Sequence, residues 1–311
     1  MKVLITGGGG YVGTELVKSL LKKNIQIKVV DIFWFPNKLP KNKNLKIVKK
    51  DILKIEKKDL KGINTIIHLA SIANDPASNL DPKLTWEISC LGTMRLCELA
   101  KKNKIKNFIY ASSGSVYGIK KENKVNEDLD LLPISDYNKT KMIAERVVLS
   151  YKKYFKYFII RPGTVFGYSD RMRLDLMINV LAFQALTKKE ITVFGGRQTR
   201  PFIHIDDMVS VYEHFIFRKN KSGIYNASFG NLSAIDTAKQ ICLKIPKTKI
   251  NLKKSNDPRS YRLNSDKLKK TGFKFRVNLQ QGIDNFIKNF NSGKIIDNKS
   301  CYSINWINKK K

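Results

Sequence analysis

Along the first half of the chain, short apolar runs rich in β-branched residues alternate with longer stretches whose apolar positions recur at helical spacing. Residues 2–6 form such a run, glycines at 7–10 interrupt it, residues 11–23 carry a helical pattern, and residues 25–30 resume a strand. The order strand, helix, strand predicts a βαβ unit with parallel strands. Further runs at 45–48, 65–69, 108–112 and 157–161 extend the alternation, with helical stretches such as 84–102 and 136–154 between them. This predicts an α/β chain built on a doubly wound parallel sheet.

Beyond Gly167 the alternation loosens. A helical stretch at 174–186, a short strand at 191–194 and small elements near 224–227, 233–245 and 279–290 predict a smaller C-terminal α/β lobe. The expected division is 1–166 for the sheet domain and 167–311 for the lobe, with residues 203–216, apolar and helix-prone, returning to the first domain. The last twenty residues are rich in Asn and Lys and read as a loosely held tail, except that Trp306 argues for docking.

Charge changes the picture less than its size suggests. Lys plus Arg number 59 against 26 acids, a net +33, which points to an anionic partner. Only 11 of the 59 are Arg, and the 48 Lys are dispersed among Asn and Ile over the whole chain. Phosphate and guanine recognition leans on Arg forks, so the charge reads as a solvated lysine surface, and no specific nucleic-acid partner is expected. Cys90, Cys97, Cys242 and Cys301 form no CxxC pair and have no His at ligand spacing, so neither a metal site nor a disulfide is expected. No apolar run approaches the ~18–20 residues of a membrane span. The N-terminal MKVLITGG enters a strand rather than a cleavable signal, so a soluble cytoplasmic protein is expected.

The glycine run opens the chemistry. Gly7, Gly10 and Gly13 sit between the first strand and the first helix, where they permit a tight turn, close approach of a pyrophosphate to backbone N–H groups, and tight helix–sheet packing. That placement makes the sheet domain Rossmann-like and predicts a dinucleotide. Asp31 ends the second strand 18 residues past Gly13, near the ~20-residue offset at which an acid accepts the adenosine ribose hydroxyls. Its charge repels a 2′-phosphate, and Ile32, Phe33, Trp34 and Phe35 supply no Arg to receive one, which favours NAD over NADP. Asp51 and Ile52, after the third strand, are candidates to bracket the adenine.

A second constellation follows the strand at 108–112. Ser113 lies in a Ser-rich strand end, and Tyr137 and Lys141, four apart, share a face of the helix that begins about twenty residues later. A phenol, with its ordinary pKa of ~10, serves as a base near neutrality only if positive charge stabilises the phenolate. Lys141 and an oxidised nicotinamide are the sources expected here. Ser113 would orient the reacting hydroxyl toward Tyr137 while hydride leaves the same carbon. Spacing alone does not decide, because Tyr117 and Lys121 repeat it, but Tyr117 precedes Gly118 in a turn.

The ordered set TGGGGYVG, HLAS at 68–71, ASSGSVYG, YNKTK and RPFIHIDD at 200–207 resembles the extended short-chain dehydrogenase/reductase family, in its NAD-dependent nucleotide-sugar epimerase/dehydratase branch. The resemblance covers nearly the whole chain, including Asp257-Pro258-Arg259-Ser260-Tyr261-Arg262. It implies that Ser113, Tyr137 and Lys141 are catalytic and that Gly7, Gly10, Gly13, Asp31, Asp51 and Ile52 contact NAD. It implies that Arg200 and Arg259 clamp the diphosphate of a nucleotide sugar, with Arg171, Arg173 and Asn179 lining the same pocket. It also implies structural roles for His68 and His204, and a homodimer formed through helices 84–102 and 136–154. Thr164 stands where many members carry an Asn that reaches the diphosphate.

By the same resemblance, 4,6-dehydratases carry an acid pair and decarboxylases a Glu at the serine strand, where this chain has Gly114 and Ser115. Neither residue serves as a carboxylic acid or base, so elimination lacks its machinery. The expectation is a nucleotide-sugar 4-epimerase that oxidises carbon 4 transiently. The alternative is a 4-dehydrogenase or reductase releasing the keto sugar, to which the RMRLDL stretch bears some resemblance. A third reading, favoured only by the charge, is a non-catalytic NAD-sensing or nucleic-acid-binding protein; Ser113, Tyr137 and Lys141 together argue against it.

Overall fold

The computed structural model describes residues 1–255 and 259–309. Up to Pro162 the chain alternates strand and helix: β1 (Lys2–Thr6), α1 (Tyr11–Lys22), β2 (Gln26–Asp31), β3 (Leu45–Lys49), β4 (Thr65–His68), α2 (Asp75–Leu80), α3 (Pro82–Trp86), α4 (Gly92–Lys102), β5 (Asn107–Ala111), α5 (Asp136–Ser150) and β6 (Lys156–Pro162). There follow β7 (Thr164–Phe166), α6 (Met177–Lys188), β8 (Glu190–Phe194), β9 (Thr199–His204), α7 (Ile205–Phe217), β10 (Gly223–Ala227), β11 (Gly230–Ser233), α8 (Ala234–Lys244), β12 (Lys249–Lys253), α9 (Asp266–Lys270) and α10 (Leu279–Asn291).

The main sheet has seven parallel strands in the order β10-β6-β5-β4-β1-β2-β3. Its central strands are apolar on both faces, as a doubly covered parallel sheet requires. Leu16, Val17 and Leu20 of α1 pack on one face with Met208, Val211 and Phe215 of α7. Leu96 and Ala100 of α4 pack on the other with Ala144 and Val148 of α5. The strand order reverses between β1 and β4, and in such sheets ligands bind at the carboxyl ends of the strands beside that switch. The smaller lobe packs α6, α8 and α10 around a third core that includes Ile191, Phe202, Ile241 and Ile283. It carries a β11-β9-β7 sheet and a β12-β8 pair.

Three details differ from the sequence pattern. Residues 224–227, assigned there to the smaller lobe, form β10 and pair with β6 at the edge of the large sheet. A five-residue strand carries no mark of which sheet it joins, so the pattern could not place it. The 84–102 stretch is divided into α3, a π-helical turn at Glu87–Leu91, and α4. Helix α6 starts at Met177 rather than near 174, because Leu174 N–H donates to Cys301 O at 2.9 Å and Leu176 is extended. Residues 168–176 are thereby left irregular and lie between the two lobes.

Beneath α5 lies a buried polar network. Arg161 of β6 donates to both carboxylate oxygens of Glu145, at 2.9 and 2.7 Å, and to the Tyr117 hydroxyl at 2.7 Å. Ser112 Oγ donates to Glu145 as well, and Tyr117 donates to Asn226 Oδ1 of β10 at 3.0 Å. Glu145 and Arg161 are 1% and 3% exposed, so deleting either partner strands a charge in the interior. Glu145→Ala is expected to cost about 3–5 kcal/mol of folding stability, read as a lower denaturant midpoint with a similar slope.

Candidate active site

At the carboxyl end of the sheet a cleft of about 670 Å³ runs from the glycine turn to the smaller lobe. Gly7 has φ +74°, and a Cβ there would sit 2.6 Å from Ala70 N, so the turn can press against β4's exit only as glycine. A Cβ on Gly13 would meet Gly7 O at 2.6 Å, which fixes the close approach of α1 to the turn. Gly10 caps α1 without any side-chain hydrogen bond, leaving the first-turn N–H groups directed at the cleft as an anion site requires. Asp31 is held by Gly9 N–H at 2.9 Å and Phe33 N–H at 2.7 Å. Burial pushes its carboxyl upward while those two bonds hold it down. Asp51 accepts from Leu53 N–H at 2.9 Å to cap a 3-10 turn, and both it and the buried Ile52 face the cleft. Cradle, open helix end and strand-end carboxylate fit a dinucleotide with unmodified ribose hydroxyls.

Ser113, Tyr137 and Lys141 line the inner end of the same cleft. Ser113 Oγ lies 2.7 Å from Ser115 Oγ, which in turn donates to Asn138. Lys141 Nζ donates to Ala111 O at 2.7 Å and lies 6.0 Å from the centroid of the Tyr137 ring. Burial pushes the ammonium down to about 8, with the Glu145 carboxylate opposing. Burial also raises the Tyr137 phenol, and the Asp75 carboxylate raises it further. The Ser113 hydroxyl and the guanidiniums of Arg173 and Arg259 pull it back. Positive charge from Arg173 and Arg259 in the smaller lobe therefore acts on the phenol, a contribution the helix spacing did not show.

Asp75 is the residue that the sequence reading missed. It opens α2 after Asn74, whose φ is +77°, and lines the cleft. It accepts from Ser135 Oγ and from Asn138 Nδ2 at 3.4 Å, and pairs with Arg259. Nothing in its surroundings in the sequence marked it as a site residue, since the contact to Arg259 spans both lobes.

Arg200 and Arg259 both reach the cleft, Arg200 Nη1 donating to the Arg259 carbonyl. Arg171, Arg173 and Thr164 line it too. Asn179 is not brought there: it is fully buried in α6, accepts from Gly167 N–H at 2.9 Å, and donates to Tyr11 Oη at 3.1 Å and Arg173 O at 2.9 Å. Its amide is consumed in holding the 168–176 segment, so the structure corrects its expected place in the substrate pocket. Asp257 and Pro258 lie outside the described residues. His68 is buried between Thr6 Oγ1 at 2.7 Å and Thr93 Oγ1 at 2.9 Å, and burial pushes its imidazole down to about 3. His204 caps α7, accepting from Asp206 N–H at 3.3 Å. The tail is docked: Trp306 is 2% exposed, stacks on Trp34 at 4.7 Å and forms part of the cleft wall. All four cysteines are free, and no His/Cys/Asp/Glu group suited to a metal occurs among the described residues. Among them, too, no helix is long and apolar enough to cross a membrane.

A cleft so built is that of an enzyme working with NAD. The model of the NAD dependent epimerase/dehydratase family matches residues 3–228, and the chain belongs to that family. It is 35% identical over 227 residues to an uncharacterized UDP-glucose epimerase, YtcB, of Bacillus subtilis, covering 67% of this chain and 70% of that one. It is 28% identical over 308 residues to a putative UDP-glucose 4-epimerase of Methanocaldococcus jannaschii, covering 93% and 99%. Among solved structures it is similar to the UDP-glucuronic acid 4-epimerase of Bacillus cereus in complex with UDP-glucuronic acid and NAD. There the TM-score is 0.86 with 27% identity, over 94% of this chain and 99% of that one.

Because the Asp75 carboxylate raises the phenol, removing its charge lowers the pH at which Tyr137 ionises. Asp75→Asn is therefore expected to shift the rising limb of the pH–kcat/KM profile toward lower pH. A profile unmoved or displaced upward contradicts this electrostatic account.

Proposed function

We propose that the chain is an NAD-dependent nucleotide-sugar 4-epimerase. The observation that carries this reading is the convergence of Ser113, Tyr137 and Lys141 on one end of the cleft, with Gly114 and Ser115 where a dehydratase or decarboxylase carries its acids. Bound NAD supplies a hydride acceptor beside the sugar. The chain's residues handle the proton. Ser113 aligns the carbon-4 hydroxyl, Tyr137 takes its proton as hydride departs, and Tyr137 returns that proton when reduction occurs on the opposite face. Lys141 keeps positive charge near the phenolate. Arg200 and Arg259 hold the substrate diphosphate, Arg259 exchanging its Asp75 partner for phosphate.

Asp75 is the carboxylate that bears on Tyr137, and it is engaged by Ser135, Asn138 and Arg259, which makes it a poor base for elimination. The release of a keto sugar by a 4-dehydrogenase is the second reading, favoured by the RMRLDL stretch. Against it stands the Trp34–Trp306 wall, which supports retention of the cofactor between half-reactions. The same proposal includes a homodimer through α4 and α5, since Leu91, Met94 and Ile143 expose apolar side chains on and beside these helices.

The experiment is incubation with UDP-, GDP-, CDP- and dTDP-sugars, following product stereochemistry together with NADH absorbance. A product inverted at carbon 4 with no net NADH is expected, and Tyr137→Phe should lower turnover by about 10²–10⁴-fold with NAD still bound. Accumulating NADH moves the assignment to the dehydrogenase, and undiminished turnover in the Phe variant removes the chemistry altogether. Light scattering should give twice the 35.7 kDa of one chain; a single-chain mass removes the dimer.

A further inference from the structure

Arg171 is a cation of the cleft with neither a task in the reaction above nor an ion-pair partner among the described residues. Arg171 belongs to the irregular segment that the smaller lobe lays across α1. Tyr11 Oη donates to Gly167 O at 2.6 Å, Ser169 Oγ donates to Tyr11 O at 2.9 Å, and Asp170 N–H donates to Glu15 Oε1 at 2.9 Å. Lys18 of α1 also pairs with Asp170 at 2.7 Å. Arg171 is thus fixed beside the first turn of α1, the open helix end that points into the cleft.

Its side chain is 6% exposed and lines the cleft. Nη1 donates to Met172 O at 3.2 Å, but Nε–H is buried without any hydrogen-bond partner. No ion pair to Arg171 forms among the described residues, whereas neighbouring Arg173, whose buried Nη2 also lacks a hydrogen-bond partner, is paired with Asp175 at 2.8 Å. Burial and the charge of Arg173 push the Arg171 guanidinium down to about 10, with Asp175 and Asp31 acting weakly in its favour. A buried cation with an unmade donor is costly in a native fold unless a ligand completes it.

The surroundings say which ligand. The guanidinium carbon lies 3.9 Å from the centroid of the Phe35 ring, and Phe35 follows Asp31 by four residues. Asp31 marks the adenosine ribose, and the phosphate attached to that ribose must lead from Asp31 toward the N-terminus of α1. The substrate end of the cleft, with Ser113 and Tyr137, lies beyond it.

We infer that Arg171 is a ligand of the cofactor's diphosphate, its Nε–H and free guanidinium edge closing from the smaller lobe over phosphates that the α1 N-terminus holds from the sheet domain. NAD then bridges the two lobes, and its diphosphate completes a charge that the protein alone leaves unpaired. This assignment does not depend on whether the enzyme epimerises or releases a keto sugar.

The test is calorimetric titration of nucleotide-freed protein with NAD, ADP, adenosine and UDP, for wild type and Arg171→Gln. The variant is expected to weaken NAD and ADP by about ten- to a hundredfold and to leave adenosine unchanged. Equal losses for ADP and adenosine indicate a merely structural arginine and overturn the inference; a loss for UDP with ADP unaffected places the residue at the substrate end and overturns it equally. Arg171→Lys keeps a charge for folding but lacks Nε and the fork. It is expected to lose ADP affinity by less, with adenosine again unchanged. Wild-type affinity for ADP in the lysine variant refutes the assignment even if the Gln variant fails to fold.

Discussion

The geometry of the reacting end depends on the buried pair between Glu145 and Arg161. Tyr137, Lys141 and Glu145 are spaced by four along α5 and form a polar stripe on the helix face turned toward the end of β5. Lys141 finds the Ala111 carbonyl there, Glu145 finds Ser112 and Arg161, and Tyr137 lines the cleft with Ser113. An apolar stripe of similar volume would stabilise the fold at least as well. Apolar faces, however, tolerate repacking. A two-pronged carboxylate–guanidinium contact accepts one register, and that register carries the phenol and the ammonium to the cleft with it.

The other half of the site is set by how closely two backbones approach. Gly7 against Ala70 and Gly13 against Gly7 and Gly8 bring the first turn of α1 to the strand order's switch point, where its N–H groups face a cavity. Onto that turn the smaller lobe docks through Gly167, Ser169 and Asp170. One helix start therefore anchors the cofactor cradle and the lobe that lines it. Asn179, spent entirely on this docking, serves the cleft by fixing the segment that carries Arg171 and Arg173.

Local features were legible in the sequence and long-range ones were not. The glycine turn, Asp31 and the Ser113–Tyr137–Lys141 set announce themselves because a turn, a strand end and a helix face each leave a pattern within a few residues. Strand β10 carries five residues and no sign that its neighbour is β6, whose paired residues lie 65 positions earlier in the chain. Asp75 is in the same position. Its role comes from Arg259, brought beside it only when the lobes meet, and from the Tyr137 phenol across the cleft. Trp306 announced its docking by being a large aromatic in a polar tail, but its partner Trp34 sits at the far end of the chain. Asn179 shows the reverse failure: a polar residue in a plausible segment, turned inward by three hydrogen bonds that no periodicity encodes.

The two kinds of cation are placed differently within the +33 charge. Among the described residues, four of the 11 arginines, Arg171, Arg173, Arg200 and Arg259, line the cleft, against two of the 48 lysines, Lys50 and Lys141. A nucleic-acid surface would gather forked donors on an exposed face to meet a row of phosphates. Here they converge in a concave site whose two ends suit a dinucleotide and a second diphosphate, while nearly all the lysines lie outside it. A compact ammonium is strongly hydrated and gains little by leaving water, whereas the guanidinium, more weakly hydrated, tolerates burial and offers several donors to one phosphate group. The two basic residues are thus divided, with a large share of the arginines in the cleft and the lysines almost all outside it.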